Sequence, residues 1–297
     1  MKGIKNTKAF EFVKNLFHQP ILCALLAFAG WYVFEYIVTY GLLFSTLFLG
    51  DFPDWVFTAA PIPLMTLYLL LLKKMIGNGF TIGFRFDNLG KALLLCASVG
   101  VVIFCFGVQS IKAFLLFPME LSGSEFTNAL LEQIFGGMNP GILEEYSLRV
   151  VLMGIIMHLS AGKKHRLALA VGLSSIIFGA THLVNLSHAD LTETIYQVFY
   201  AFAVGILFAA VYARTRNILA PMIAHSLWDI VENFHVGFYP SFTEMPQELQ
   251  PIIPNETLYV IITILFAVVG LYLLRPSRHH EIEAHWGSLA AEEVSVG

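Results

Sequence analysis

Charge is what this sequence has least of. Asp, Glu, Lys and Arg make up only 13% of its 297 residues, about half the share of a soluble domain, which excludes an ordinary water-facing surface. Cysteine is scarce too. Cys23, Cys96 and Cys105 stand singly in apolar runs; their spacing excludes a redox pair or a zinc cluster, and they read as small core or lipid-facing residues. The basic residues form no stripe, which argues against a nucleic-acid partner. No HExxH motif, long linker, low-complexity tract or clear internal repeat is present. The basic lead MKGIKNTKAFEFVKNLFHQP lacks a small-residue cleavage site after a short apolar core, so the first apolar stretch is expected to be retained.

What is abundant is apolar length. Hydrophobic residues are 57% of the chain and mean hydropathy is +0.72. A bilayer core needs about 20 apolar helical residues. Such runs occur at roughly 20–49, 55–73, 91–117, 138–159, 165–185, 192–213, 217–235 and 257–274. The expected fold is all-α: a polytopic integral membrane helix bundle of about eight transmembrane helices, forming one membrane domain over 1–297. Lys and Arg test the count. All 17 except Lys112 and Arg149 fall before the first span, in alternate connections or after the eighth span. Asp51, Asp54, Glu120, Glu125, Glu132, Asp190, Glu193, Glu244 and Glu248 fall in the other connections. By the positive-inside rule both termini are cytoplasmic. The segment GNGFTIGFRFDNLG is expected along the cytoplasmic interface, and 279–297 is expected to be a mobile cytoplasmic tail.

The stretch GILEEYSLRVVLMGII, 141–156, breaks the apolar rule. Each charge at the bilayer centre costs about 2.5–3.5 kcal/mol even on the mildest scale, so three within two turns need partners. Glu145 and Arg149 are four apart and share a helix face. Glu144 lies about 100° around the helix from Glu145. One carboxylate can neutralise the guanidinium while the other aims elsewhere, and an acid so placed is a natural general base near neutral pH. The plainer alternative is an ion-pair lock in which both acids serve Arg149. SSIIFGATHLVN ends with His182, one turn after Phe178; APMIAHSLWDIVEN carries His225 and Asp229, again four apart. Counted inward from 138, Glu144 and Glu145 lie about 9–11 Å deep. His182 and Asp229 fall in the outer half and His225 near the middle, so one cavity can hold them all. Glu35 reads as structural, Glu232 as solvated at the outer end of its span, His188 and Asp190 as outer-loop residues, and His279, His280 and His285 as tail residues.

At these residues the sequence resembles the CAAX prenyl protease and bacteriocin-processing (CPBP, or Abi) family. That family's motifs are EExxxR, FxxxH and HxxxN or HxxxD on successive core helices. Here they read Glu144-Glu145-Tyr-Ser-Leu-Arg149, Phe178-Gly-Ala-Thr-His182 and His225-Ser-Leu-Trp-Asp229. The similarity covers about 80–235. Leu148, Val150 and Asp229 depart from the commoner Phe, Gly and Asn.

The resemblance implies an intramembrane peptidase of the glutamic or metallo type in a cell membrane, expected to be bacterial. Its substrate would be a membrane-associated peptide or protein. Glu144, Glu145, His182, His225 and Asp229 are the implied catalytic set: Glu144 activates the water, His182 positions or protonates, and His225 with Asp229 stabilises the oxyanion. An ionised Asp229 cannot donate a hydrogen bond, so it acts through His225 unless protonated. Arg149 and Phe178 are structural at the site. No cofactor is required on this reading. The metal alternative is Zn2+ on Glu144, His182 and His225, which suits a catalytic zinc with open positions. Two rival readings come from other classes: a non-catalytic immunity or sensor-regulating protein whose site is a docking cavity, and a transporter using the acids and His as a proton relay. The charge bias places the site in the outer half, whereas a prenyl protease takes cytoplasm-facing C-termini.

Overall fold

The computed structural model describes residues 15–16, 18–77, 80–232, 234–239, 246–249 and 255–286. Lys2, Lys5, Lys8, Lys14, Glu244 and the tail from 287 lie outside the described residues. Every regular element described is helical. In chain order they are α1 (Pro20–Leu49), α2 (Asp54–Ala59), α3 (Pro61–Ile76), α4 (Leu89–Leu95), α5 (Ala97–Leu116) and α6 (Gly123–Glu145). A π-helical stretch (Tyr146–Gly154) leads into α7 (Ile155–Leu159) and α8 (Arg166–Thr181). A 3-10 turn (His182–Ser187) precedes α9 (Leu191–Thr215), α10 (Leu219–Glu232), α11 (Asn255–Leu273) and α12 (His279–Trp286).

Six stretches are long and apolar enough to cross a membrane: Pro20–Leu49, Asp54–Ile76, Ala97–Leu116, Arg166–Ser187, Leu191–Thr215 and Asn255–Leu273. The other two expected spans, 138–159 and 217–235, take different forms. α6 starts at Gly123, well before 138. It stacks Phe135 on Trp55 and donates from Asn139 Nδ2 to the Thr58 carbonyl, so its first turns stand beyond the α2 end of the bundle. α10 has 14 residues, about 21 Å at 1.5 Å per residue and so shorter than a ~30 Å hydrocarbon core. These two elements carry the EExxxR acids and the His225–Asp229 pair; α10 buries His225 while leaving Ile223 and Leu227 exposed. The span expected at 91–117 is broken at Cys96, between α4 and α5.

The bundle is built around α9, the most buried of the six long helices. Its Ala201, Ala203, Gly205, Ala209 and Ala210 let α8 and α11 approach closely. The outer faces of α1, α5 and α11 expose Tyr36, Ile37, Phe44, Phe104, Ile264 and Leu271, as lipid-facing surfaces should. α10 lies along α6, and the GGMNPG run makes that packing possible. A Cβ on Gly137 would sit 2.4 Å from the Ile230 nitrogen, and one on Gly141 would sit 2.4 Å from the Ser226 nitrogen and Oγ. Those neighbours include backbone and cannot swing aside. Gly141→Ala is therefore expected to cost about 1–3 kcal/mol and to displace His225, the residue before Ser226. Gly172→Ala, where a Cβ meets nothing within 4 Å, is the neutral comparison. Thermal unfolding of both variants in detergent checks this, and equal melting temperatures would refute it.

The end of the chain corrects one expectation. Residues 279–286, the first part of the tail expected to be mobile, form a helix clamped to the basic end of the bundle. Lys91 and Arg214 pair with Glu281 at 2.6 and 2.8 Å. Arg166 pairs with Glu283, and Trp286 Nε1 donates to the Ala213 carbonyl at 2.9 Å. The Lys91 and Arg214 charges outweigh partial burial and hold the Glu281 carboxyl down at about 2. It therefore stays ionised, and the clamp persists, at any ordinary pH. Sequence composition marked the segment as polar, but the cations that capture it come from distant helices.

Candidate active site

Glu144 and Glu145 occupy the last turn of α6, just after Pro140. Proline lacks an N–H and cannot complete the regular ladder. The chain then passes into the π-helical stretch, whose nine residues are all buried; π segments of this kind are frequent at functional sites. The two adjacent carboxylates have opposite surroundings. The Glu144 side chain is 28% exposed, and it lines a cavity. The Glu145 and Arg149 side chains are both 0% exposed. Arg149 Nε lies 3.0 Å from Glu145 Oε2, and its Nη2 donates to Oε1 at 3.4 Å. The guanidinium also lies over the Phe178 ring, 5.2 Å from its centroid, a favourable cation–π placement.

Phe178 joins the three motifs. Besides covering Arg149, its ring meets His182 edge-on at 5.2 Å and His225 at 5.7 Å. His182 sits at the C-terminal end of α8, where its Nδ1 donates to the Phe178 carbonyl at 2.9 Å. That bond fixes the proton on Nδ1 in the neutral ring and leaves Nε2 with a lone pair. His225, on α10, has both nitrogens facing acids. Nδ1 donates to Glu145 Oε1 at 3.1 Å. Nε2 lies 3.4 Å from Asp229 Oδ2 and 3.8 Å from Glu144 Oε2.

This geometry separates the expected catalytic set. Glu144, His182, His225 and Asp229 line one cavity of about 410 Å³. Glu145 does not line it. Its carboxylate is occupied by Arg149 on one side and His225 on the other. Asp229, expected to act through His225, lies 3.4 Å from its Nε2, and the closer contact to that ring is Glu145 at 3.1 Å, across helices. Asp229 instead shares the Nε2 side with Glu144.

Several cavity residues were not singled out from sequence. Tyr32 reaches in from α1, Gln197 and Tyr200 come from α9, and Asn185 comes from the 3-10 turn. Glu232 also lines the cavity instead of being solvated. A signal for it was present: 225, 229 and 232 follow the i, i+4, i+7 pattern of one helix face. Tyr32 had no such signal, because only the packing of α1 against the π-helical stretch brings it to the cavity. Thr181, His182, Asn185, Gln197 and Glu232 place the cavity toward the end of the bundle opposite the Lys- and Arg-rich segments. Asp190 lies at that same end as the cap of α9, accepting from the Glu193 amide at 2.9 Å.

Among the described residues no group of three or more His, Cys, Asp or Glu is arranged to hold an ion. His182 commits Nδ1 to a carbonyl and His225 commits Nδ1 to Glu145. Those bonds engage only Nδ1 of each ring, the way the second nitrogen of a metal-ligating histidine is held, so Glu144, His182 and His225 are the residues that would hold Zn2+ if it binds.

Comparison with known proteins adds a family. Residues 126–231 match the family model described as type II CAAX prenyl endopeptidase Rce1-like. This is a protease family, which supports a peptidase. The match spans α6 through α10, all three motif helices, and lies inside the expected core of 80–235. No curated protein and no solved structure gives a significant match to the chain. The matched residues 126–231 carry Glu144, Arg149, His182, His225 and Asp229, and over that stretch the chain is similar to the type II CAAX prenyl endopeptidases.

Proposed function

We propose that the chain is an intramembrane endopeptidase. It hydrolyses a peptide bond of a membrane-associated peptide or protein, in a bacterial cell membrane, with a water activated by Glu144. One observation carries the reading: Glu144, His182, His225 and Asp229 converge from three helices on a single cavity. Glu144 takes a proton from the water as the hydroxide adds to the peptide carbonyl carbon. The same carboxyl then returns that proton to the leaving amine as the C–N bond breaks. His182, with its Nε2 lone pair, accepts a hydrogen bond from the water and fixes its direction. His225, held through Nδ1 by Glu145, carries a second proton on Nε2 and donates it toward the oxyanion, with Asp229 stabilising the imidazolium. Arg149 and Phe178 keep Glu145, and through it His225, in place. The polar rim at Asn185, Gln197 and Glu232 favours a substrate arriving from the acidic end of the bundle.

The test is a peptidomic comparison of membranes containing wild-type or Glu144→Ala protein. Fragments sharing one cleavage pattern are expected in the wild type alone. Identical peptide profiles with a retained phenotype would instead favour a non-catalytic docking cavity. Because no step passes through a metal, cleavage in detergent is expected to survive thorough chelation. Zinc at about one per chain, with activity lost on its removal and regained on its return, would overturn the metal-free step.

A further inference from the structure

The active-site cavity extends beyond the groups that the proposed reaction uses. Past Asp229 its wall continues to Tyr200, Trp228 and Glu232. Glu232 stands seven residues after His225 on α10, about 10 Å along the helix. Three carboxylates line the cavity, and no Lys or Arg does. Arg149 is sealed behind Glu145, and Glu144 and Asp229 share the Nε2 side of His225. Glu232, half-buried, makes no ion pair among the described residues, and no step of the reaction employs it.

Two further groups beside Glu232 are unmatched. Trp228 is 4% exposed and lines the cavity. Its indole nitrogen lies toward the Glu232 carboxylate but is buried without a hydrogen-bond partner of good geometry, as is Asp229 Oδ2. Buried donors and acceptors left open in this way call for a ligand that supplies the missing partners. The Trp228 N–H suits a peptide carbonyl, and the two carboxylates suit a group rich in donors. The wall is set in advance. Tyr200 stacks on both Trp228 and Tyr259, with centroids at 5.8 and 5.2 Å. Asn185 Nδ2 donates to Gln197 Oε1 at 2.7 Å, which leaves the Asn185 Oδ1 as another acceptor on the rim. Rings around a carboxylate lower the local dielectric, so a cation placed beside it is held more strongly than in water.

We infer that Glu232 binds a basic side chain of the substrate, Lys or Arg, while the Trp228 N–H donates to a backbone carbonyl of the same segment. The inference rests on the peptidase reading and names its substrate class: a membrane-associated peptide with a basic residue near the cut. The bond to the cation is charge-assisted. An extended chain rises about 3.3 Å per residue, so the basic residue falls within about three residues of the scissile bond.

The experiment digests a proteome-derived peptide library with the full chain in detergent and reads the cut sites by mass spectrometry. Wild type is expected to favour Lys or Arg at one position within about three residues of the cut. A synthetic Lys peptide from that set is then compared with twins carrying Met or Glu at the same position. Wild type is expected to prefer the Lys peptide over the Met twin by about tenfold in kcat/KM, the scale of one charged hydrogen bond. Glu232→Gln should bring that ratio near one, and Glu232→Lys should turn the preference to the Glu twin. Each ratio is taken within one protein, so a lower overall rate does not alter it. Glu193→Gln removes a carboxylate from the exposed start of α9 and should keep the wild-type ratio. If the Glu232 variants do not cleave, the affinities of the same twins for Glu144→Gln and for Glu144→Gln/Glu232→Gln protein supply the ratio. No cut by wild type in any peptide removes the peptidase reading and this inference with it. Cuts without a basic preference, a ratio kept in Glu232→Gln, or an equal loss in Glu193→Gln overturn this inference alone.

Discussion

Glu144→Gln protein folds, purifies and melts like wild type but no longer cleaves: this is the expected result of the most informative substitution. The carboxylate lines a cavity, and the other side of the motif, Glu145–Arg149, is complete without it. The amide therefore fits the same space and leaves no buried ion without a partner. What it removes is the base. General-base groups typically contribute about 10²–10⁴-fold, and here Glu144 also returns the proton to the amine, so a loss at the upper end of that range is expected. The readout is single-turnover cleavage of a substrate found in the peptidomic comparison, with melting temperature measured on the same preparation. Cleavage within a few-fold of wild type would rule out Glu144 as the base and redirect attention to Asp229 and Glu232 in the same cavity.

The largest stability effect is expected at Arg149. Its side chain is fully buried, paired with a fully buried Glu145 and capped by Phe178. Removing one partner of a buried pair costs about 3–5 kcal/mol, because the other charge is left uncompensated. Arg149→Ala should lower both melting temperature and activity. The activity loss follows from geometry: Glu145 also holds His225 Nδ1 at 3.1 Å, so a disturbed Glu145 misdirects His225. Arg149→Lys should regain part of the stability and less of the activity, since an ammonium cannot grip the carboxylate through two nitrogens.

Adding Glu145→Gln to Arg149→Ala removes the orphaned charge. The glutamine retains an oxygen that can accept from His225, so stability should recover and some activity should return. A melting series in detergent on these variants, with cleavage measured alongside, separates the roles. A fully stable Arg149→Ala protein would mean that the pair contributes nothing in the membrane.

The local readings came through because their causes are local. An apolar run long enough to cross a bilayer must satisfy its backbone internally, so helices at 20–49, 165–185, 192–213 and 257–274 follow from composition alone. The spacing of Glu145 and Arg149, of Phe178 and His182, and of His225 and Asp229 sets which side chains share a helix face. The presence of charge in an apolar run already demanded a polar interior.

Contacts between elements distant in sequence decided the rest. Which of two adjacent glutamates meets the cavity depends on where Arg149, Phe178 and His225 settle, and those come from three helices. Tyr32 and Glu232 became cavity residues only when α1 packed against the π-helical stretch and α10 against α6. The closeness of α10 to α6 rests on the missing Cβ atoms of Gly137 and Gly141 meeting the backbone of Ser226 and Ile230. A polar tail became a clamped helix because Lys91, Arg166 and Arg214, far apart in the chain, converge on its two glutamates. A sequence states which groups are charged and how far apart they lie along one helix. Which charge neutralises which is fixed by the packing between helices, because a buried ion is stable only beside its partner.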